Sequence, residues 1–188
     1  MTSQSLPVID PARSEFGYPR TVCACAACTA GCRHLPGYLV PADLERLRDH
    51  LAPGEDLLAW ARRHLLASPG ALVARAGKVF RIPTLVPARQ PGGACRFLTG
   101  QGRCAVHPAA PFGCAFFDSH MPPAEADARS GAGLRAVLAA WLAGGPYAEV
   151  WRALASEGLV APPPEEGRAR LRRAQAPGEP DDDPDRGP

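Results

Sequence analysis

The seven cysteines of the 188-residue chain all lie in two short windows of sequence. The first window (residues 23–32) has the pattern C-x-C-x-x-C-x-x-x-C, and the second window (residues 95–114) has the pattern C-x8-C-x9-C. Cysteines of an apolar core would be scattered along helices and strands, whereas these lie among Gly, Ala, Thr and Pro. The clustering predicts loops whose sulfurs converge on a shared site.

The expected compartment and the number of cysteines favour metal ligands over disulfides. The first sixteen residues contain no apolar segment of the kind that a secretory signal needs. We therefore expect a cytoplasmic protein whose thiols stay reduced. Seven is also an odd number, which a closed disulfide framework would not use.

Short spacings let neighbouring sulfurs reach one centre. A C-x-x-C turn such as Cys25 to Cys28 directs two sulfurs to one Zn²⁺ at about 2.3 Å. Cys25, Cys28 and Cys32 also reproduce the C-x2-C-x3-C part of a run that holds iron–sulfur clusters. Cys23 lies two residues before Cys25, and in extended chain both side chains point to the same side. The predicted cofactor is an iron–sulfur cluster or zinc.

A histidine in the second window adds a further candidate ligand, because His107 follows Cys104 in a C-x-x-H pair. His34 and His120 adjoin the windows and are weaker candidates. Eight ligands suffice for two four-coordinate centres, or for one centre with the remaining thiols free for redox or exchange chemistry. We expect the windows to meet in space, with Cys25 and Cys104 holding the same metal. The predicted metal ligands are Cys23, Cys25, Cys28, Cys32, Cys95, Cys104, Cys114 and His107.

Hydrophobic patterning predicts the elements that surround these windows. Helical periodicity covers residues 41–52, 55–67, 124–143 and 146–159. Alternation of apolar and polar residues on both sides of Gly77 predicts a β-hairpin. The predicted fold class is α+β, mainly helical: a small irregular metal-centred domain with one short β-hairpin and a C-terminal helical pair.

Composition divides the chain into three parts. Residues 1–20 are polar and contain three prolines, so we expect an extended N-terminal arm. Residues 21–160 form the predicted cysteine-cluster metal-binding domain with its C-terminal helices. Residues 161–188 are rich in Pro, Glu, Arg and Asp and are predicted to form a disordered tail, because they have too little apolar surface to bury.

Charge and hydropathy limit the partners that we expect. The formal net charge is only +2, so no strong overall field favours nucleic acid or an anionic membrane. The apolar stretches are far shorter than the roughly 20 residues of a membrane-spanning helix. The predicted partner is a metal ion or cluster, and neither nucleic acid nor a membrane is expected. A protein partner stays open, and the sequence does not identify one.

The first window, from Cys23 to Cys32, and the segment from Cys95 to Phe117 together resemble the YkgJ-like cysteine-cluster family. The matching residues are Cys95-Arg96-Phe97-Leu98, Gly102-Arg103-Cys104 and the segment from Pro111 to Cys114. The chain departs from that family in lacking a vicinal cysteine pair and in having Ala110 where the family has an arginine. The resemblance implies a zinc- or iron-chelating domain over roughly residues 21–118. Flagellin lysine-N-methylases have a similar cysteine set, which implies a 4Fe–4S centre.

Three functions are compatible with such a centre. The leading interpretation is a metal-binding protein whose centre has a structural, sensing or electron-transfer role. The first alternative is a metalloenzyme, redox or protein-modifying by resemblance to the methylase, in which Cys95, Cys104 and Cys114 leave one coordination position open. The second alternative is a metal chaperone.

Asp118 and the two residues after it are contiguous, so we expect them to form a turn and a helix N-cap rather than a catalytic triad.

Overall fold

The computed structural model describes residues 12–13, 16–21, 23–75 and 77–176. Its strands are β1 (Ala12–Arg13), β2 (Tyr18–Pro19), β3 (Leu65–Arg75) and β4 (Lys78–Pro87). Its helices are α1 (Ala26–His34), α2 (Pro41–Leu51), α3 (Leu57–His64), α4 (Phe112–Ala115), α5 (Pro123–Ala143), α6 (Pro146–Ser156) and α7 (Pro164–Gln175). The predicted class, α+β and mainly helical, is confirmed. None of the described helices has the length and apolar character needed to span a membrane.

The central β-hairpin is longer than predicted. β3 pairs antiparallel with β4 from Leu65, opposite Pro87, to the turn at Gly77. The sequence predicted that a helix would continue to residue 67, but α3 ends at His64 and the chain pairs with β4 at once. Strand pairing therefore overrides the helical periodicity of this segment. Gly70, at φ +77°, marks a shift of register within β3 rather than the end of a helix.

A fully buried tyrosine joins the helical pair to the hairpin. The Tyr147 hydroxyl in α6 donates to the Leu39 carbonyl at 2.8 Å and accepts from the Leu85 N–H at 2.9 Å. Two tryptophans also donate hydrogen bonds to backbone carbonyls of the hairpin. Trp141 in α5 donates to the Pro83 carbonyl of β4, and Trp151 in α6 donates to the Ser68 carbonyl of β3, each at 2.9 Å. The predicted C-terminal helical pair thus packs on the sheet through apolar rings whose polar atoms are satisfied.

The first cysteine window is only partly the loop that the sequence predicted. Cys23 and Cys25 precede α1, whereas Cys28 and Cys32 lie within it. The alanines of this segment favour a helix, and the helix closes with a bond from the Leu35 N–H to the Gly31 carbonyl at 2.8 Å. A helix fixes the direction of two of the four sulfurs more firmly than a loop would.

The described part of the N-terminal arm packs against the domain, which corrects the prediction of an extended arm. β1 pairs antiparallel with β2. The Phe16 ring lies 4.5 Å from the Phe112 ring, and the Thr21 N–H donates to the Ala115 carbonyl at 2.8 Å. Aromatic contacts that the sequence pattern does not reveal therefore anchor residues 16–21. Residues 1–11 and 14–15 lie outside the described part of the chain.

The predicted disordered tail is wrong for residues 164–175, which form α7. Pro164 occupies the first turn, acidic Glu165 and Glu166 follow it, and arginines occupy the last turn, so the charges complement the helix dipole. α7 packs against α1, and the Gln175 side-chain amide donates to the Ala27 carbonyl at 3.3 Å. Packing against a partner helix supplies the burial that the segment lacks alone. Residues 177–188 lie outside the described part.

Candidate metal centre

Four side chains bring metal-binding atoms together at the start of α1. The donor atoms of Cys23, Cys25, Cys28 and His120, here called the Cys3His group, all lie within 4.8 Å of one another. Cys25 Sγ lies 3.2 Å from His120 Nε2. A tetrahedron of donors about 2.3 Å from one ion has edges of about 3.8 Å. The group is therefore close enough to bind a single metal ion.

Two chain segments, far apart in sequence, supply the Cys3His group. Cys25 is the N-cap residue of α1, Cys28 lies in its first turn, and Cys23 stands in the extended chain before it. His120 comes from the loop between α4 and α5. A metal bound here would join the beginning of α1 to that loop, as structural zinc sites join distant segments.

Hydrogen bonds to the Asp118 carboxylate hold the two segments together. Asp118 Oδ2 accepts from the Thr21 hydroxyl at 2.9 Å, and Asp118 Oδ1 accepts from the His120 N–H at 2.9 Å. Thr21 Oγ1 also accepts from the Cys23 N–H at 3.4 Å. The sequence predicted that Asp118 or its neighbour would cap the next helix, but Pro122 is the N-cap residue of α5. Asp118 instead orders the turn that presents His120.

Ser119 contacts the third sulfur. Its backbone N–H donates to Cys28 Sγ at 3.4 Å, and its hydroxyl oxygen lies 3.0 Å from the same sulfur. Contacts of this kind orient the atoms of a candidate metal ligand. The three contiguous residues 118–120 therefore all take part in the Cys3His group, His120 as a member and the other two as its neighbours.

Hydrogen bonds at the Cys3His group favour the thiolate form of Cys25, whereas the pKa of the neighbouring Cys23 is raised. The backbone amide of Cys28, and next the His120 ring, lower the pKa of Cys25 from 9.0 to about 6. The hydrogen bond to Cys25 in turn raises the pKa of His120 above its usual 6.5. A metal ligand has to be deprotonated, so an exposed cysteine that is already a thiolate near neutral pH is well suited to bind a cation.

The other four cysteines gather deeper in the protein, in what we call the inner cysteine group: Cys32, Cys95, Cys104 and Cys114. The Cys95 N–H donates to the Cys32 carbonyl at 2.8 Å, so the two windows meet in space as the sequence predicted. Burial raises the pKa of the Cys114 thiol, and the charges of the other three raise it further. Burial likewise raises the pKa of Cys95 to about 12. Cys25 and Cys104, expected to hold one metal, lie in different groups.

The two groups adjoin each other on α1. Cys28 and Cys32 are four residues apart and therefore lie on one face of the helix, one turn from each other. The charge of Cys28 contributes to the raised pKa of Cys32, although burial is the larger cause. One helical face thus carries one sulfur of each group.

The predicted ligand His107 lies in neither group. It begins a short 3-10 turn, and its carbonyl accepts from Arg20 Nη2 at 2.5 Å. Burial lowers the pKa of its ring. The histidine that lies with the cysteines is His120, which was the weaker candidate from its sequence position. No local spacing could have identified it, because Cys25, the cysteine that it contacts, lies 95 positions earlier in the chain.

The chain matches no protein-family model, no curated protein and no solved structure. The resemblance to the YkgJ-like family therefore stays a prediction that rests on the sequence motifs. What the geometry itself provides is a set of four donor atoms close enough to bind a metal ion.

A cavity of about 470 Å³ lies beside both groups. Its walls come from α1, α5, α7 and the hairpin, and they are mostly apolar. Cys28 of the Cys3His group and two members of the inner cysteine group, Cys32 and Cys114, line it. The space around these sulfurs is therefore not completely filled by protein.

Proposed function

We propose that the protein is a metal-binding protein that holds one Zn²⁺ at the Cys3His group. The observation that carries this proposal is the separation of the four donor atoms, all within 4.8 Å of one another. Three thiolates and one imidazole form one of the usual ligand sets of structural zinc sites. The zinc- or iron-chelating function implied by the family resemblance agrees with this assignment.

The same separation favours one ion over an iron–sulfur cluster at this group. In a cluster the irons and sulfides stand between the protein ligands and hold the cysteine sulfurs far apart. Around one zinc ion the ligand atoms stand only about 3.8 Å from one another. Cys25 Sγ and His120 Nε2, 3.2 Å apart, already approach more closely than that.

A structural role follows from the number and placement of the ligands. Four protein ligands complete the coordination of zinc, whereas catalytic zinc sites keep a position open for water or substrate. The ion would tie the start of α1 to the turn before α5, between Cys28 and His120. Metal-binding free energy then becomes folding free energy for both segments. Zinc has no redox chemistry, so electron transfer is not the role we assign to this group.

The test compares two histidine substitutions in the full chain. His120→Ala is expected to lose zinc, because it removes one of the four ligands. His50→Ala, an exposed residue of α2, is the matched control and should retain one zinc per chain. The measurements are zinc content after anaerobic purification and the thiolate-to-cobalt absorption bands after Co²⁺ substitution. His107→Ala that loses zinc while His120→Ala keeps it would overturn the ligand assignment.

Metal transfer is a second candidate function, and the exposure of the ligands favours it. Cys23, Cys25 and His120 are exposed, so an accepting protein can approach three of the four ligands directly. A chaperone should release zinc rapidly to a competing ligand, whereas a structural site should release it only as the fold opens. The rate of zinc loss to a chromogenic chelator, compared with the rate of unfolding, distinguishes the two roles.

A further inference from the structure

Two members of the Cys3His group form a C-x-x-C pair at the start of a helix. Cys25 is the N-cap residue of α1, and Cys28 lies in its first turn. Both sulfurs belong to the set of donor atoms that lie within 4.8 Å of one another, and neither is part of a disulfide. Pairs with this spacing occur in proteins that interconvert thiols and disulfides, as well as in zinc sites. The pair therefore has the geometry for a second kind of chemistry besides metal binding.

The backbone spacing favours Cys28 over Cys23 as the disulfide partner of Cys25. The two Cα atoms of a disulfide are usually about 4.4–6.8 Å apart, most often near 6 Å. Residues three apart at the start of a helix have Cα atoms about 5 Å apart, which suits Cys25 and Cys28. Two residues of extended chain span about 6.7 Å, so Cys23 and Cys25 stand at the upper limit. A disulfide within the group is therefore expected to join Cys25 to Cys28.

Exposure makes Cys25 the sulfur of this pair that an oxidant in solution meets first. Cys25 is exposed, whereas Cys28 is half-buried. The Ser119 N–H donates to Cys28 Sγ at 3.4 Å and holds that sulfur beside its partner. The inner cysteine group is less accessible, because its members are buried or half-buried against the apolar core. Oxidation should therefore begin at Cys25 and finish at Cys28.

A bound zinc ion leaves these sulfurs open to oxidation. Zinc holds its cysteine ligands as thiolates, and the thiolate is the nucleophilic form of cysteine. Zn²⁺ itself has no redox chemistry, so any electrons that leave the site come from the sulfurs. Once Cys25 and Cys28 are joined, Cys23 and His120 are the members of the group that remain to hold the ion. Two ligands in place of four bind zinc far more weakly.

We propose that Cys25 and Cys28 form a peroxide-sensitive thiol site whose oxidation releases the zinc ion. The oxidant is hydrogen peroxide: the Cys25 thiolate attacks one oxygen, the O–O bond breaks, hydroxide leaves, and Cys25 becomes a sulfenic acid. The Cys28 thiolate then attacks the Cys25 sulfur, forms the disulfide and displaces a second hydroxide. Two electrons pass from the two sulfurs to the peroxide, and Zn²⁺ leaves with its charge unchanged. The release of zinc rests on the proposed function, whereas the disulfide needs only the two thiols.

The experiment adds hydrogen peroxide to reduced, zinc-loaded full-length protein and measures free zinc and free thiols together. We expect the loss of the zinc ion and of two thiols from each chain, and a phosphine reductant should restore the thiols. Free thiols are alkylated first, and those recovered by reduction take a heavier reagent. Trypsin leaves all four cysteines of the first window in residues 21–33, so fragment ions must assign the labels. The heavier label should appear on Cys25 and Cys28.

Two matched variants, each lacking one sulfur of the Cys3His group, distinguish the possible partners of Cys25. Cys23→Ser leaves the C-x-x-C pair intact and should still form the disulfide. Cys28→Ser removes the partner, so a sulfenic acid should accumulate at Cys25 and react with dimedone. Far-UV circular dichroism checks that both variants fold. A disulfide that survives in Cys28→Ser and is lost in Cys23→Ser would overturn the inference.

The wild-type protein decides the inference even where neither variant folds. Zinc-loaded protein in which peroxide leaves Cys25 and Cys28 unlinked would overturn it while leaving the proposed function intact. A disulfide from Cys25 to Cys23, or a linked pair that keeps its zinc, would overturn it as well. Reduced protein that holds no zinc before peroxide is added would refute the proposed function, and the release of zinc with it.

Discussion

Thr21 donates its hydroxyl proton to Asp118 Oδ2 across 2.9 Å, which joins residues 97 positions apart in the chain. The bond lies beside two of the proposed metal ligands, since Thr21 also accepts from the Cys23 N–H and Asp118 accepts from the His120 N–H. Groups of this kind orient the atoms that bind the metal without touching the metal themselves. The Cys3His group is therefore preorganised before any ion binds.

The first prediction tests this preorganisation. Asp118→Ala should weaken zinc binding by about 10- to 100-fold, the usual cost of losing a residue that orients metal ligands. Asp127→Ala, which removes an exposed carboxylate from α5, should leave the affinity unchanged. Competition with a chelator of known affinity measures both. Equal zinc affinities in the two variants would show that Asp118 does not position His120.

The second prediction concerns the pH dependence of the metal-free protein. The pKa of Cys25 is lowered to about 6, so its thiolate contributes stability above the ordinary thiol pKa of 9.0 and loses that contribution as pH falls through about 6. The pKa of His120 is raised, so its contribution is present below 6.5 and is lost as pH rises through the raised value. Alkylation of Cys25 should therefore show a midpoint near pH 6.

The His120 ring accounts for part of that low pKa, so His120→Ala should move the midpoint for Cys25 to higher pH. His50→Ala again serves as the control and should leave it in place. Peptide mapping of the alkylated protein shows that the measured alkylation rate belongs to Cys25 rather than to another cysteine. A midpoint near 9 in the wild-type protein would contradict both contacts that lower the pKa of Cys25, with the Cys28 amide and with the His120 ring.

The sequence predicted the chemistry of the site better than its grouping. Residue type and spacing were enough to identify all seven cysteines as candidate ligands, and the meeting of the windows followed from the length of the spacer. The division into two groups was not predictable, because it depends on Cys28 and Cys32 lying on one face of a helix that was expected to be a loop. The role of His120 depends on a tertiary bond to Asp118 that sequence spacing does not show.

The fold shows the same contrast between local and tertiary signals. α2, α5 and α6 lie close to their predicted positions, and each has a proline in its first turn, which is a local signal for a helix start. The first half of β3 and all of α7 were missed, because partners elsewhere in the chain stabilise them: β4 for the strand and α1 for the helix. The local sequence pattern does not show which distant segments of the chain will pack together.

The third prediction tests the close approach that brings α1 to Cys114. A Cβ atom at Gly37 would lie 2.0 Å from the Gly113 carbonyl carbon, and backbone atoms cannot move aside cheaply. Gly37→Ala should lower the free energy of unfolding by about 1–3 kcal/mol, the usual cost of overpacking. Gly92→Ala, where a Cβ atom meets nothing within 4 Å, should change little. Urea titration of both variants gives the comparison.

The last prediction asks whether α7 belongs to the folded domain. A Cβ atom at Gly167 would lie 2.8 Å from the His34 carbonyl oxygen at the end of α1, so Gly167→Ala should push the two helices apart. Gly31→Ala, within α1, is the matched control: its Cβ atom meets nothing within 4 Å, and replacing a helical glycine should stabilise the protein by about 1 kcal/mol. Urea unfolding should therefore move in opposite directions for the two substitutions. If both raise stability alike, α7 does not pack against α1, and residues 164–175 behave as the tail that their composition predicted.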